Sequence, residues 1–140
     1  MNEWFTRLYT KMTTDDENFF SAHSGGLGHA HHYLAVLDGE HGGPHNVTFS
    51  PGCRNHWHVH HRSVQVLVCV AGRGWYQEWG KAAVELRPGK VIAIPAGVKH
   101  WHGAARDSWM QHLAYTTQVE EGARNEWLEP VDAAEYDKLN

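Results

Sequence analysis

Histidines placed two residues apart are the part of this sequence best suited to chemistry. Residues 56–60 read His-Trp-His-Val-His, and His100 and His102 repeat the spacing after the turn at 95–97. Successive side chains of a β-strand point to opposite faces, so the two imidazoles of a His-x-His pair lie on one face. Two such rings can bind one ion from a single strand, and imidazole is the commonest metal ligand in proteins. The spacing therefore indicates a metal site, provided that these segments are strands.

An amide side chain and a general excess of histidine extend this pattern. Gln65, Leu67 and Cys69 share a face of the next strand-like run, and a closed barrel can bring the Gln65 oxygen beside the histidines. Thirteen of the 140 residues are histidine, an excess that metal binding or proton transfer would explain.

The segments that must position these residues read as short strands. From Tyr33 onward, apolar runs alternate with Gly- and Pro-containing turns such as Pro51-Gly52 and Pro88-Gly89. Many short strands separated by such turns are typical of a sandwich or barrel. Helix is scarce, and its clearest signal is the capping-box spacing of Asp132 and Glu135. We therefore predict an all-β, single-domain protein with a short C-terminal helix.

Composition argues against several classes of function. The net charge is −4 with neutral histidines, which predicts no binding to nucleic acid or to an acidic membrane. No apolar run approaches the ~20 residues of a membrane span, and the N-terminal segment lacks the pattern of a secretory signal. Two cysteines without paired spacing predict no disulfide scaffold. The resulting expectations are a cytoplasmic location and a small-molecule substrate.

The stretch from residue 52 to residue 104 resembles the two motifs of the cupin superfamily. The first motif is Gly, five residues, His-x-His, three or four residues, Glu, six residues and Gly, and its fixed positions here hold Gly52, His58, His60, Gln65 and Gly72. The second is Gly, five residues, Pro-x-Gly, two residues and His, and its fixed positions here hold Gly89, Pro95, Gly97 and His100. The resemblance implies a jelly-roll β-barrel. We expect an N-terminal segment at 1–30 that packs on the barrel or a partner, the barrel at 31–130 and a tail at 131–140.

One fixed position departs from the superfamily pattern, because Gln65 stands where Glu is usual. A neutral oxygen ligand leaves more positive charge on the site, so a metal there would be a stronger Lewis acid. Loss of the metal is the competing interpretation. Against it, all three motif histidines remain, and an amide oxygen can still coordinate.

The chain is also similar to a narrower group, the short cupins related to manganese-dependent hydroxynitrile lyases. The similarity is carried by the segments 47–49, 57–60, 97–105, 112–114 and 127–131 together with Gln65. That group uses His, His, Gln and His as metal ligands, so the resemblance implies those roles for His58, His60, Gln65 and His100. It places His112 in the substrate pocket as a proton acceptor, with His102 lining the same cavity. A longer loop at 60–65 and Thr116 depart from the group and bear on the substrate more than on the metal.

The resemblance implies a metal-dependent enzyme of the lyase type acting on a small organic molecule. One divalent metal per chain is expected, with Mn favoured and Fe, Zn, Ni or Co as alternatives. The same geometry also suits an Fe or Mn dioxygenase, or a metal- and ligand-binding cupin without catalysis. For His112, a buried hydrogen-bonded histidine is the alternative to a catalytic one. Apolar residues on both faces of 64–70 predict that a homodimer or higher homo-oligomer covers the outer face.

Overall fold

Short antiparallel strands make up almost all of the regular structure. The computed structural model describes residues 44–139, together with the backbone of residues 10–11, 20–21 and 30–34. Within this part of the chain the strands are β1 (Thr10–Lys11), β2 (Phe20–Ser21), β3 (Ala30–Leu34), β4 (His45–Phe49), β5 (Arg54–Asn55), β6 (His58–His61), β7 (Val64–Gly72), β8 (Gly74–Glu78), β9 (Val84–Leu86), β10 (Val91–Ile94), β11 (His100–Ala104), β12 (Met110–Thr117) and β13 (Arg124–Trp127). They are followed by the helix α1 (Ala133–Asp137).

The strands form two sheets whose neighbours are distant along the chain. The first sheet has the order β1-β3-β4-β12-β7-β10. The second has the order β13-β6-β11-β5-β2, and β8 pairs with β11 on the opposite side from β6 and β5. The predicted all-β cupin barrel with a short C-terminal helix is confirmed. Asp132 caps the helix as predicted, since its Oδ1 accepts the backbone N–H of Glu135 at 2.9 Å.

The inner faces of both sheets bury one apolar cluster. Phe49 and Leu67 come from the first sheet, and Tyr76 and Leu86 from the second. Inward and outward side chains alternate along these strands, so the polar residues that share the inner face must also lie inside. His58 and His60 of β6, His100 and His102 of β11, and His112 of β12 occupy such positions.

A second apolar cluster lies on the outer face of β11, under the C-terminal tail. Trp57 and Trp101 each precede an inward-facing histidine by one residue, so they point outward and pack with Val131 and Tyr136. The tail is fastened by Arg54, whose guanidinium lies 4.1 Å from the Tyr136 ring centroid and donates to the carbonyl oxygen of Val131 at 3.3 Å. Burial of the tryptophans thus depends on the tail.

The glycines of the two cupin motifs occupy turns with positive φ. The four φ values are +78°, +72°, +91° and +80° at Gly52, Gly72, Gly89 and Gly97. Residues with a Cβ rarely adopt this conformation. At Gly97 the turn also fixes the site, because its backbone N–H donates to the carbonyl oxygen of His60 at 2.9 Å. The second motif is therefore hydrogen-bonded directly to the first.

Two strands near the site were absent from the sequence-based prediction. β5 has only two residues, and β13 has the sequence Arg-Asn-Glu-Trp, which lacks apolar alternation. Pairing with β6 and β11 makes these segments strands, so their own sequences gave little signal. The predicted segment at 1–30 falls mostly outside the described residues, although β1 pairs with β3 and β2 pairs with β5. Among the described residues, none of the helices has the length and apolarity needed to span a membrane.

Candidate metal centre

The two predicted His-x-His segments lie on neighbouring antiparallel strands of one sheet. β6 carries His58 and His60, β11 carries His100 and His102, and His58 lies opposite His100. No more than 5% of any of these four residues is exposed. This burial is the outcome expected when the even-numbered positions face the barrel interior.

Three of the predicted ligand rings and the predicted amide form one cluster. The ring centroids of His58 and His100 are 4.1 Å apart, and that of His60 lies 5.2 Å and 5.4 Å from them. The amide comes from the other sheet, where Gln65 is the second residue of the long strand β7. Its Oε1 lies 3.3 Å from Nε2 of His100. The structure therefore brings together all four residues that the sequence predicts as ligands.

Each imidazole of this cluster is oriented by a hydrogen bond from its Nδ1 atom. His58 and His100 donate to the carbonyl oxygen two residues earlier in the chain, at 2.8 Å and 2.9 Å. His60 donates to Oδ1 of Asn125 at 2.6 Å. Since these oxygens can only accept, Nδ1 carries the proton in all three rings and Nε2 keeps a lone pair. Metal-binding histidines are held in this way in proteins generally.

The polar atoms that face one another inside the cluster are acceptors. Burial lowers the pKa of His100 to about 4 and that of His58 well below its usual value, so both rings are neutral at pH 7. Burial also lowers the pKa of His60, although its contacts with Asn125 and Gln65 oppose this shift. Nε2 of His100 and Oε1 of Gln65 are then two lone-pair atoms 3.3 Å apart.

Nothing in the described part of the chain makes a hydrogen bond of normal geometry to the buried Nε2 of His60. A cation placed among Nε2 of His60, Nε2 of His100 and Oε1 of Gln65 would satisfy all three atoms at once. Imidazole nitrogen together with a neutral oxygen also suits several first-row divalent ions. The donor set therefore fits a divalent metal ion.

His102 stands directly beside the predicted ligands. One ring nitrogen from each of His58, His100 and His102 lies within 4.8 Å of the others, and such a cluster could hold a metal ion. Among the described residues this group does not include His60, whose ring centroid lies 5.2 Å and 5.4 Å from those of His58 and His100. Nδ2 of Asn55 lies 3.2 Å from Nε2 and 3.3 Å from Nδ1 of His102. Oδ1 of Asn55 accepts the backbone N–H of His102 at 2.9 Å.

His112 is joined to this cluster through His102. It is fully buried, and its ring centroid lies 4.9 Å from that of His102 at an interplanar angle of 87°. On another side it stacks on Phe49, with the centroids 5.7 Å apart and the planes 10° apart. His112 and Ala114 are buried on the predicted inner face of β12, whereas Thr116 on the same face is exposed where the strand leaves the barrel. Thr116 lies opposite Gln65.

The sequence did not point to several partners of the cluster. Glu78 lies opposite His100, and its negative charge partly offsets the lowering of the pKa of that ring by burial. The Tyr76 hydroxyl donates to Oε1 of Glu78 at 3.2 Å, and Lys81 forms an ion pair with the same carboxylate. Asn55 and Asn125 were not predicted either. A polar residue on a two-residue strand or in a polar segment has no periodicity that would reveal its role.

The comparisons with known proteins agree with this architecture. The profile of the cupin domain matches residues 45–113. Over 91 residues the chain is 43% identical to an (R)-mandelonitrile lyase from Granulicella tundricola, an alignment that covers 65% of this chain and 68% of the lyase. A cupin-like protein from Thermotoga maritima superposes with a TM-score of 0.77 at 36% identity, covering 94% of this chain and 95% of that one.

A more distant structure shows the same fold at low identity. The polyketide cyclase RemF from Streptomyces resistomycificus has a TM-score of 0.59 and 18% identity, covering 79% of this chain and 78% of the cyclase. The residues matched by the profile, 45–113, include both motifs that hold the histidine cluster. The chain belongs to the cupin family.

Proposed function

We propose that this protein is a metal-dependent lyase that cleaves or forms the C–C bond between a small carbonyl compound and cyanide. The observation that carries the proposal is the cluster of neutral, Nδ1-protonated imidazoles facing the Gln65 amide. The similarity to an (R)-mandelonitrile lyase supports the reaction class. His58, His60, Gln65 and His100 would hold one divalent metal, with Mn favoured.

A metal ion bound there would act as a Lewis acid and favour negative charge on an oxygen or on cyanide. Gln65 adds no negative charge to this site, unlike the Glu that is usual in the superfamily. The immediate ligand set therefore leaves the full charge of a divalent ion available to an anionic group. The carboxylate of Glu78, which lies opposite His100, is already engaged by Tyr76 and Lys81.

Proton transfer is assigned to His102 and His112. In cleavage, a neutral imidazole takes the hydroxyl proton of the cyanohydrin, the C–C electron pair leaves with cyanide, and the proton then passes to the cyanide. Burial lowers the pKa of His102 well below its usual value, which keeps that ring available as an acceptor at neutral pH. His112 contacts His102 edge to face, and we assign it the role of accepting the substrate proton.

The test is the release of benzaldehyde and cyanide from mandelonitrile by the manganese-loaded protein. We expect turnover without oxygen, and we expect His112→Ala to lower kcat by about 10²-fold or more while manganese stays bound. A matched control is His61→Ala, because His61 is a half-buried histidine on β6 outside the proposed machinery. Unchanged activity in His112→Ala would contradict the role of His112. Absence of cyanide release from the loaded wild-type protein would contradict the proposed reaction.

Homo-oligomerisation is part of the same proposal. On the outer face of the first sheet Val70, Val91 and Tyr115 are 42%, 55% and 39% exposed, and Val91 on the edge strand β10 pairs with Val68 of β7. Apolar surface of this kind is usually covered by a partner. Light scattering coupled to size-exclusion chromatography should give a mass of two chains or more, and a monomer at micromolar concentration would contradict this part.

A further inference from the structure

The strand β13 lies beside the first cupin motif in one-to-one register. Asn125 is opposite His60 and Trp127 is opposite His58. The two pairs are separated by one residue on each strand, so a segment Asn-x-Trp faces the segment His-x-His. This pairing joins residues 65 and 69 positions apart in the sequence, and neither Asn125 nor Trp127 belongs to the cupin motifs.

Both side chains of the Asn-x-Trp segment contact the imidazole opposite them. Oδ1 of Asn125 accepts the Nδ1–H of His60 at 2.6 Å, a short hydrogen bond in a partly buried position. The indole of Trp127 packs on the His58 ring with the centroids 4.7 Å apart and the planes 34° apart. One contact therefore sets the tautomer of a ring, and the other restricts the rotation of its neighbour.

His60 needs such a partner more than the other rings do. His58 and His100 are oriented by carbonyl oxygens of their own strands, only two residues away. His60 takes its acceptor from a different strand instead. If Nδ1 of His60 lost this acceptor, the ring could change tautomer or rotate, and Nε2 would no longer be fixed as the atom with the lone pair.

We propose that Asn125 and Trp127 are positioning residues of the metal centre, and that Asn125 sets the metal affinity by holding His60 in the Nδ1–H tautomer. The inference rests on the proposed function in so far as His60 is a ligand. It extends that proposal to a strand outside both cupin motifs. Asn125 contacts no reacting atom and acts only through His60.

The chain offers a matched control on the same two strands. Nε2 of His61 lies 2.6 Å from Oε2 of Glu126, so Glu126 and His61 form a second contact between a side-chain oxygen of β13 and an imidazole of β6. His61 is not among the predicted ligands. Glu126→Ala removes a contact of similar length between the same strands without touching the cluster.

The experiment is a titration of the metal-free full-length protein with Mn²⁺ in competition with a chelator. We expect Asn125→Ala to weaken Mn²⁺ binding by about 10- to 100-fold, Glu126→Ala to bind as the wild type does, and Asn125→Asp to restore binding because its carboxylate also accepts from Nδ1. Long-range ¹H–¹⁵N spectra of the metal-free protein should show the Nδ1–H tautomer of His60 in the wild type and in Asn125→Asp. The Asn125→Ala variant should lose that signature.

Three results would overturn the inference. The first is wild-type affinity in Asn125→Ala, and the second is equal weakening by Asn125→Ala and Glu126→Ala, which would indicate a general effect on β13. The third is failure of Asn125→Asp to recover any affinity while its thermal unfolding matches that of the wild type. If the wild-type protein itself binds no Mn²⁺, the proposed function fails as well, which separates that result from the other three.

Discussion

At the scale of single residues, the chemistry depends on where protons are fixed rather than on how many histidines are present. Nδ1 is protonated in three rings of the cluster because each faces an oxygen that can only accept. Each Nε2 then carries a lone pair that is directed away from that oxygen. The Gln65 oxygen 3.3 Å from Nε2 of His100 adds a further acceptor. Such a concentration of acceptors is stable around a cation and unfavourable without one.

The first prediction at this scale separates the roles of His60 and His102. His60→Ala should weaken Mn²⁺ binding by more than about 100-fold, since it removes a proposed ligand. His102→Ala should weaken it by less than about tenfold, because His102 is predicted to line the pocket. Competition titration of both variants gives the comparison. Stronger loss of binding in His102→Ala than in His60→Ala would indicate that His102 is the ligand and that His60 lines the pocket.

The second prediction concerns the departure from the superfamily pattern at Gln65. Gln65→Glu adds a negative charge next to the metal, so Mn²⁺ should bind tighter by about tenfold or more. Gln111→Glu makes the same change in charge on the outer face of β12 and should leave the affinity unchanged. The chelator titration measures both variants. Equal affinity in Gln65→Glu and the wild type would argue against coordination by this residue.

At the scale of elements, the motif glycines lie at the turns that separate one strand from the next. Gly72 ends β7, and a Cβ built on it would lie 1.8 Å from the carbonyl oxygen of Trp109. Gly80 has a similar φ of +77°, but a Cβ there would meet nothing within 4 Å. Substitutions at Gly72 and Gly80 therefore separate two costs to stability, that of a positive φ and that of a steric clash with the backbone.

We therefore expect different losses of stability at the two positions. Gly80→Ala should lower the free energy of unfolding by about 1–2 kcal/mol, the usual cost of a Cβ in this conformation. Gly72→Ala should lower it by about 3 kcal/mol more or prevent folding, because backbone must move to admit the methyl group. Urea denaturation of the two variants tests this. Equal losses would show that the backbone at Trp109 can move away from Gly72 at little cost.

At the scale of the whole molecule, the buried histidines make folding sensitive to acid. His58, His100 and His102 have pKa values lowered by burial, whereas in the unfolded chain they would titrate near about 6.5. Below that pH the unfolded state binds more protons, so stability falls as the pH falls. The loss contributed by His100 begins near its unfolded pKa and ends near its folded value of about 4.

The free energy of unfolding of the metal-free protein should therefore decrease between about pH 6.5 and pH 4. His100 alone is expected to contribute on the order of 3 kcal/mol, from about 1.4 kcal/mol per unit of pKa difference. Urea denaturation at several pH values gives the slope. Replacing His100 with Gln should reduce the slope in this window, and an unchanged slope would contradict the burial-induced shift.

The sequence alone determined an all-β fold of short strands, the residues of the two motifs and the faces on which they lie, and the family resemblance narrowed the fold to a barrel. These follow from the period of two along a strand and from glycines at turns that exclude a Cβ. Both are local properties, so the spacing of His58, His60 and His100 could be interpreted without coordinates. The family resemblance supplied the expected role of Gln65, which lies on a different sheet from His58, His60 and His100.

Only the tertiary structure decided which groups surround the cluster. Asn125 and Asn55 reach the histidines from strands whose sequences carry no apolar alternation, and β13 becomes a strand because it pairs with β6. The same pairing brings Trp127 against His58. Contacts between residues far apart in sequence depend on closure of the two sheets. No local pattern encodes that closure, and for this reason the partners of the ligands emerged only from the fold.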